Sequence, residues 1–276
     1  MSMLRSTFLH MHGIGAKTEA RIWEAGVHTW DDFLGDPDRA PLSEARKEEA
    51  LDRIGRSVTA LEAHDARFFS ECLPSREMWR AYPSFQHSVV FLDIETTCLS
   101  SAYDPITCIG LYDGSAPKLF VRGFNLDSFR QEILGYKMVV TYNGASFDLP
   151  FIRTWFPGIQ LPPLHLDLRY VFRRIGYRGG LKGIEAQVGI ERNERIQGMD
   201  GFDAARLWHE YERGDIKALK LMLEYNIADI VSLRELAELA YNRMLSHVSC
   251  TVSDIPVSHL ILSERDIAGS IESAGI

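Results

Sequence analysis

The chain predicts an α/β protein preceded by a small helical domain, on three observations. Short apolar runs with β-branched members, bounded by turn residues, fill the stretch from Val89 to Tyr142. After Leu168 apolar residues recur mostly at helical spacing, and before Pro74 the pattern is helical throughout. At 276 residues and 46% hydrophobic composition the chain can bury one substantial core and carry an appendage. We expect a helical region over 1–82, the main α/β domain over 83–245 and a C-terminal tail over 246–276.

In residues 8–34, FLHMHGIGAKTEARIWEAGVHTWDDFL, a Gly-rich turn at Gly13-Ile14-Gly15 precedes an amphipathic segment closed by Gly26, which predicts helix, turn, helix. From Leu42 to Cys72, Ala50, Ile54, Val58 and Leu61 stand at helical spacing with charges between them, predicting one long amphipathic helix. That pattern stops between Pro74 and Pro83, where we place the domain boundary. Val89-Val90-Phe91-Leu92 then reads as a buried strand ending in polar Asp93. Ile106–Tyr112 and Lys118–Arg122 are two more strands around the turn Asp113-Gly114, and the three make an antiparallel meander. Asp127–Leu134 suits a helix and Met138–Tyr142 a strand. Asn143-Gly144 then turns the chain into Ser146-Phe147-Asp148. Leu164–Leu166 is strand-like, and Leu168–Arg174, Leu181–Val188, Asp203–Glu212 and Ile216–Leu245 are helical; from Ser249 onward the pattern is less regular.

A net charge of −8 argues against a protein that coats nucleic acid nonspecifically, which needs clustered Lys and Arg to release counterions. It leaves room for an enzyme whose carboxylates hold divalent ions, since two such ions offset four charges. Cys72, Cys98, Cys108 and Cys250 form no CxxC pair, so neither a zinc ribbon nor a disulfide scaffold is expected, and a reducing cytosol fits. The first residues lack the apolar core of a signal peptide, and no stretch approaches about 18 uninterrupted apolar residues. A soluble, cytoplasmic protein without a membrane partner is expected.

The acids carry the chemistry. Asp93 and Glu95, two apart at the end of the most apolar strand, project to the same face. Asp148 follows a strand and a sharp turn, where open α/β sheets bind ligands, although Asp is equally at home capping a helix. Asp229 stands mid-helix on one face with Tyr225, beside Leu223, Ile227, Ile230 and Leu233, where a polar pair is costly without a purpose. Each acid alone also suits a strand exit, a cap or a solvent edge.

Together, FLDIETTCLS, VVTYNGASFDLPFI and YNIADIVSL resemble the three exonuclease motifs of the DEDD superfamily, in its tyrosine branch, and look most like RNase H-like exonucleases of the YprB type. The resemblance covers about residues 86–240, with the motifs in the correct order. It implies an RNase H-like fold, a mixed five-stranded sheet flanked by helices, and a 3′–5′ exonuclease. By the same resemblance Asp93, Glu95, Asp148 and Asp229 are the metal-binding acids, Asp93 bridging two ions, Asp148 acting on the second directly or through water, and Tyr225 orienting the attacking water. The histidine branch would need His where Glu224 stands. Carboxylate donors suit Mg²⁺ or Mn²⁺, and two such ions about 4 Å apart serve both the entering and leaving oxygens of a phosphodiester. Cys98 occupies a place where family members often have Gly; a small buried residue is expected there rather than a nucleophile.

Thr96 and Leu99 stand where they contact a terminal nucleotide or serve packing and turns, and Asn143 has the same two roles open. Asp167 supports the site or caps the next helix. Arg169, Arg173, Arg174, Arg178 and Lys182 form a basic cluster that suits phosphate contacts or a solvated face. HGIGAKTEARIWEAGVHTW resembles a helix-hairpin-helix, in which Gly13 and Gly15 would present backbone N–H groups to a phosphate and Lys17 would add charge; packing of two helices is the alternative. His10 and His12 lack further ligands for a metal site. The hairpin favours single-stranded DNA 3′ ends as substrate. RNA, a structure-specific endonuclease on the same acids and a binding module with little catalysis stay open, and no obligate protein partner is inferred.

Overall fold

The computed structural model describes residues 2–98, 104–248, 252–259 and 262–276. The N-terminal region is helical, as expected. Gly13, at φ +72°, turns the chain, and extended Gly15 starts helix α1, Ala16–Glu24. A capping box of Thr29 and Asp32 opens α2, Trp30–Gly35.

The single helix expected over 42–72 is two, α3 at Glu44–Glu62 and α4 at Ala66–Cys72. His64 adopts φ +51°, and the Asp65 N–H donates back to the Ala60 carbonyl at 2.8 Å. The Asp65 carboxylate then accepts from the N–H groups of Arg67 and Phe68. A C-terminal reversal followed at once by an N-cap outweighs the continuous amphipathic pattern. A 3₁₀ segment, Ser75–Ala81, and a short α5, Tyr82–Phe85, lead to the sheet.

Five strands, β1 Val89–Thr96, β2 Ile106–Tyr112, β3 Pro117–Val121, β4 Met138–Thr141 and β5 Leu164–Asp167, lie in the order β3-β2-β1-β4-β5. The first three form the antiparallel meander, and β4 and β5 add parallel to β1. This is the mixed five-stranded sheet of an RNase H-like domain. Between β3 and β4 the expected helix is only one α-turn, α6 Phe129–Glu132, flanked by 3₁₀ turns.

Alternation along β1 assigns its two faces. Val90, Leu92 and Ile94 pack with Phe129 and with Leu149 and Ile152 of α7, Asp148–Trp155. Val89 and Phe91 face the other side, toward the helices that follow: α8 Leu168–Arg174, α9 Leu181–Val188, α10 Gly201–Glu212 and α11 Ile216–Leu245. The same continuous apolar cluster takes in Phe8, Trp30 and Phe69 of the N-terminal region. Asp93 and Glu95 continue the α11-facing row of β1, so two carboxylates stand where the apolar row ends.

The tail departs from expectation. Residues 252–259 have no regular structure, but Ser263 and Asp266 form a capping box for α12, Glu264–Ser273, which buries Ile271. Among the described residues no helix is long and apolar enough to cross a membrane.

Candidate active site

The register of β1 shifts between Glu95 and Thr96, which bends the strand beside its acids. Across the sheet Asp93 pairs with Gly110, and the missing side chain there is what lets α11 approach. A Cβ on Gly110 would fall 2.0 Å from the Asn226 side-chain oxygen. Asn226 uses that space to donate to Asp93 Oδ2 at 3.0 Å and Glu95 Oε1 at 3.5 Å. From the same helix face Asp229 completes a cluster in which one carboxylate oxygen each of Asp93, Glu95 and Asp229 lies within 4.8 Å of the others.

Asp148, the first residue of α7, is buried, and its Oδ1 accepts the Ile94 N–H at 3.2 Å, tying the β4–α7 loop to β1. Asp167 braces the same loop. It accepts from the N–H groups of Asn143 at 2.8 Å and Ala145 at 3.0 Å while capping α8 through Arg169 N–H, so it both supports the site and caps the helix.

Among the described residues, cations form direct ion pairs with Asp229 alone of the four acids. Lys182 of α9 donates to Asp229 Oδ2 at 3.0 Å and to the Tyr225 hydroxyl, and its ammonium stands 4.2 Å from the Tyr225 ring centre. Arg192 pairs with Asp229 Oδ1 and, through two nitrogens, with Glu185, which also accepts from Ser232. Among the described residues Asp93, Glu95 and Asp148 have no ion pair. Burial, reinforced by Asp229, pushes the Glu95 carboxyl up to about 8. Burial likewise lifts Asp148 to about 7, and burial with the neighbouring Asp229 raises Asp93 well above the carboxylate range. Burial and the same acids raise the Tyr225 phenol, which stays protonated.

Asp93, Glu95, Thr96, Lys182, Tyr225 and Asp229 line one open cleft of about 390 Å³, whose walls include Phe147 and Phe202. Asn143 stands outside this lining, at φ +69°, its side chain accepting from Arg169. Gly13, Gly15 and Lys17 belong to the α1 turn and do not line the cleft. Leu99 lies outside the described residues. Cys98 is not the small buried residue expected. It is exposed on the cleft wall, because Thr96 Oγ1 donates to the Cys98 carbonyl at 2.5 Å and turns the chain out of the sheet. His10 is buried against Ser57 Oγ and the Trp30 ring, a packing role.

Sequence inspection missed Asn226, Arg192 and Glu185. Asn226 had a usable signal, a second polar residue beside Tyr225 on a helix facing an apolar sheet. Arg192 had none that pointed to the site, since its partner there, Asp229, is 37 positions away.

A family model described as the RNase_H superfamily matches residues 90–241. No curated protein matches the chain. Among solved structures, the Brucella melitensis NrnC shares 17% identity over 70% of this chain and 85% of its own, with a TM-score of 0.43. The Aedes aegypti Nibbler EXO domain shares 10% identity over 63% of this chain and 87% of its own, at 0.42. The family B DNA polymerase of Pyrobaculum calidifontis shares 15% over 56% of this chain, at 0.43; the match spans 25% of the polymerase.

Proposed function

The chain belongs to the RNase H superfamily, and on that premise we propose that it is a divalent-metal-dependent nuclease that hydrolyses phosphodiester bonds at the 3′ end of single-stranded nucleic acid, DNA before RNA. The observation that carries the proposal is the convergence of Asp93, Glu95 and Asp229 in an open cleft with fewer cations than acids. The 3′ polarity and the tyrosine-branch assignment rest on the resemblance of the three motifs to DEDD exonucleases.

The donor set fits Mg²⁺ or Mn²⁺. The cluster offers carboxylate oxygens alone, with neither imidazole nor thiolate among the grouped ligands. Asp93, Glu95 and Asp229 would hold the ions, with Asp148 adding its charge from the loop behind β1. When bound, two such ions supply Lewis acidity and charge neutralisation for the entering and leaving oxygens.

The chain's own groups supply the rest. Tyr225, kept neutral by burial among acids, is a hydrogen-bond donor that orients the attacking water rather than a base. Lys182 fixes the Tyr225 hydroxyl and places a positive charge where a phosphate would sit. Asn226 holds Asp93 and Glu95 in one orientation.

The test is incubation of the purified protein with 5′-labelled single-stranded DNA and matched RNA in Mg²⁺, Mn²⁺ or EDTA, beside Asp93→Ala. The expected result is a metal-dependent ladder shortening from the 3′ end, absent in the variant. A folded protein that binds strands yet cleaves neither in any metal would overturn the proposal in favour of a binding module.

A further inference from the structure

From Leu168 to Ile184 the chain carries Arg169, Arg173, Arg174, Arg178 and Lys182 and no acid, in a protein of net charge −8. This segment is α8, the connecting loop and the first turn of α9. At its start it touches the loop that carries Asp148, since Arg169 donates to the Asn143 side chain. In its middle Gly179 O accepts from the Tyr142 hydroxyl at 2.6 Å, and near its end Lys182 reaches Asp229. Lys182 lines the acid cleft, and the arginines lead away from it along the loop before α9 and along α8. Arg169, Arg173 and Arg178 are exposed, and among the described residues none of the three is ion-paired. Of the acids beside the segment, Glu77 pairs with Arg174, Asp229 pairs with Lys182, and Asp167 accepts the backbone N–H groups of Asn143, Ala145 and Arg169. Beside α8, Tyr170, 50% exposed, and His165 line a cavity of about 260 Å³ that also includes Arg76 and Arg174.

We propose that residues 169–178 form a track for the single-stranded substrate upstream of its cleaved end, in which Arg173 and Arg178 contact phosphates and Tyr170 stacks on a base. The proposal rests on the nuclease function and adds to it a preference for strands longer than a dinucleotide. An unpaired cationic stretch in an acidic protein is complementary to a polyanion, and each phosphate neutralised on a single strand contributes about 0.7 to the salt slope of binding. A half-exposed tyrosine offers a stacking face of any sequence.

The experiment separates the track from catalysis. Binding of a fluorescent 12-nucleotide DNA is measured in EDTA over a range of salt, for the wild type, for Arg173→Ala with Arg178→Ala, for Tyr170→Ala, and for a control pair, Arg213→Ala with Lys217→Ala, that removes the same charge elsewhere. Melting curves establish that every variant is folded. The arginine pair should bind at least tenfold more weakly, with a salt slope lower by about 1.4, and Tyr170→Ala about tenfold more weakly with the slope unchanged. In Mg²⁺, the KM of the arginine pair for the 12-mer should rise at least tenfold more than its KM for a dinucleotide. If the arginine pair binds like the control pair with the same slope, there is no track. A wild type that binds through these arginines but cleaves nothing would overturn the nuclease function and leave the track standing.

Discussion

Two buried clusters of charge in this molecule are built on opposite principles. Behind the sheet, Arg80 pairs with Glu19 of α1 and Glu77 of the 3₁₀ segment, at 3.0 and 2.9 Å, with all three side chains 2% exposed. Arg174 covers the other Glu77 oxygen at 2.9 Å, and Arg80 lies against the Trp23 and Trp79 rings. With the exposed Arg76 at 3.7 Å from Glu77, two acids meet three cations, and the cluster joins the N-terminal helices to α8. At the cleft Asp93, Glu95 and Asp229 converge, with Asp148 outside that group at the start of α7, and the two cations beside them, Lys182 and Arg192, both pair with Asp229. Burial raises the Glu19 carboxyl too, but Arg80 opposes that shift, whereas in the cleft the neighbouring acids add to it.

The largest expected effect breaks the Arg80 cluster. Arg80→Met leaves Glu19 and Glu77 without their main partner and should destabilise the fold by about 3–5 kcal/mol in denaturant unfolding. A loss below about 1 kcal/mol would mean the cluster is no structural joint. Next, Gly110→Ala pushes a methyl into the Asn226 amide, and overpacking of this kind costs about 1–3 kcal/mol. It should also cut nuclease activity at least tenfold, because Asn226 can no longer hold Asp93 and Glu95. Full activity would remove Asn226 from the account.

The acids at the cleft predict a pH dependence of opposite sense to ordinary acid denaturation. With Glu95 raised to about 8 and Asp148 to about 7, the folded protein binds more protons than the unfolded chain between about pH 4.5 and 8. The contribution of these acids to the stability of the metal-free protein should therefore fall as pH rises through that window, by at most about 1.4 kcal/mol per pH unit for each proton, and level off above it. Buried His10, lowered to about 3, works in the opposite sense below about pH 6.5, so melting temperatures in EDTA that rise from pH 6.5 to 8 would contradict the raised values. The smallest effect is Asp93→Asn in EDTA. Burial and Asp229 favour the neutral form of the Asp93 carboxyl, so its neutral isostere should leave melting within about 1 kcal/mol of wild type.

The two clusters also differ in how much of them the sequence exposes. That Asp93 shares a face with Glu95, and Tyr225 with Asp229, is legible from short-range spacing, while their grouping as one candidate site rests on the resemblance of the three motifs. Spacing of two on a strand and four on a helix decides which side chains share a face, and the hydrophobic rows of β1 and α11 decide which face is inward. The meander and the four helices after β5 follow from the same periodicities. Arg192–Asp229, Arg80–Glu19 and Arg174–Glu77 are invisible at that level, since they join residues 37, 61 and 97 positions apart, and the local pairs Glu77–Arg80 and Glu185–Arg192 do not differ in sequence from ordinary surface pairs. The break at His64 was missed because the amphipathic spacing continues across it, and Asp65 had to be recognised as a cap. The helix α12 was missed although Ser263 and Asp266 carry the spacing of a capping box, because the apolar face behind them is short.

Titration calorimetry of Mn²⁺ into the metal-free protein at pH 8, in two buffers of different ionisation enthalpy, tests most directly whether the acid cluster of the cleft is a cation site. The wild type should bind Mn²⁺ saturably and release protons as it does so, because Glu95, raised to about 8, must ionise fully to ligate, and Asp93→Asn should lose that binding. Saturable binding that is identical in Asp93→Asn, or no binding by the wild type, would contradict the account.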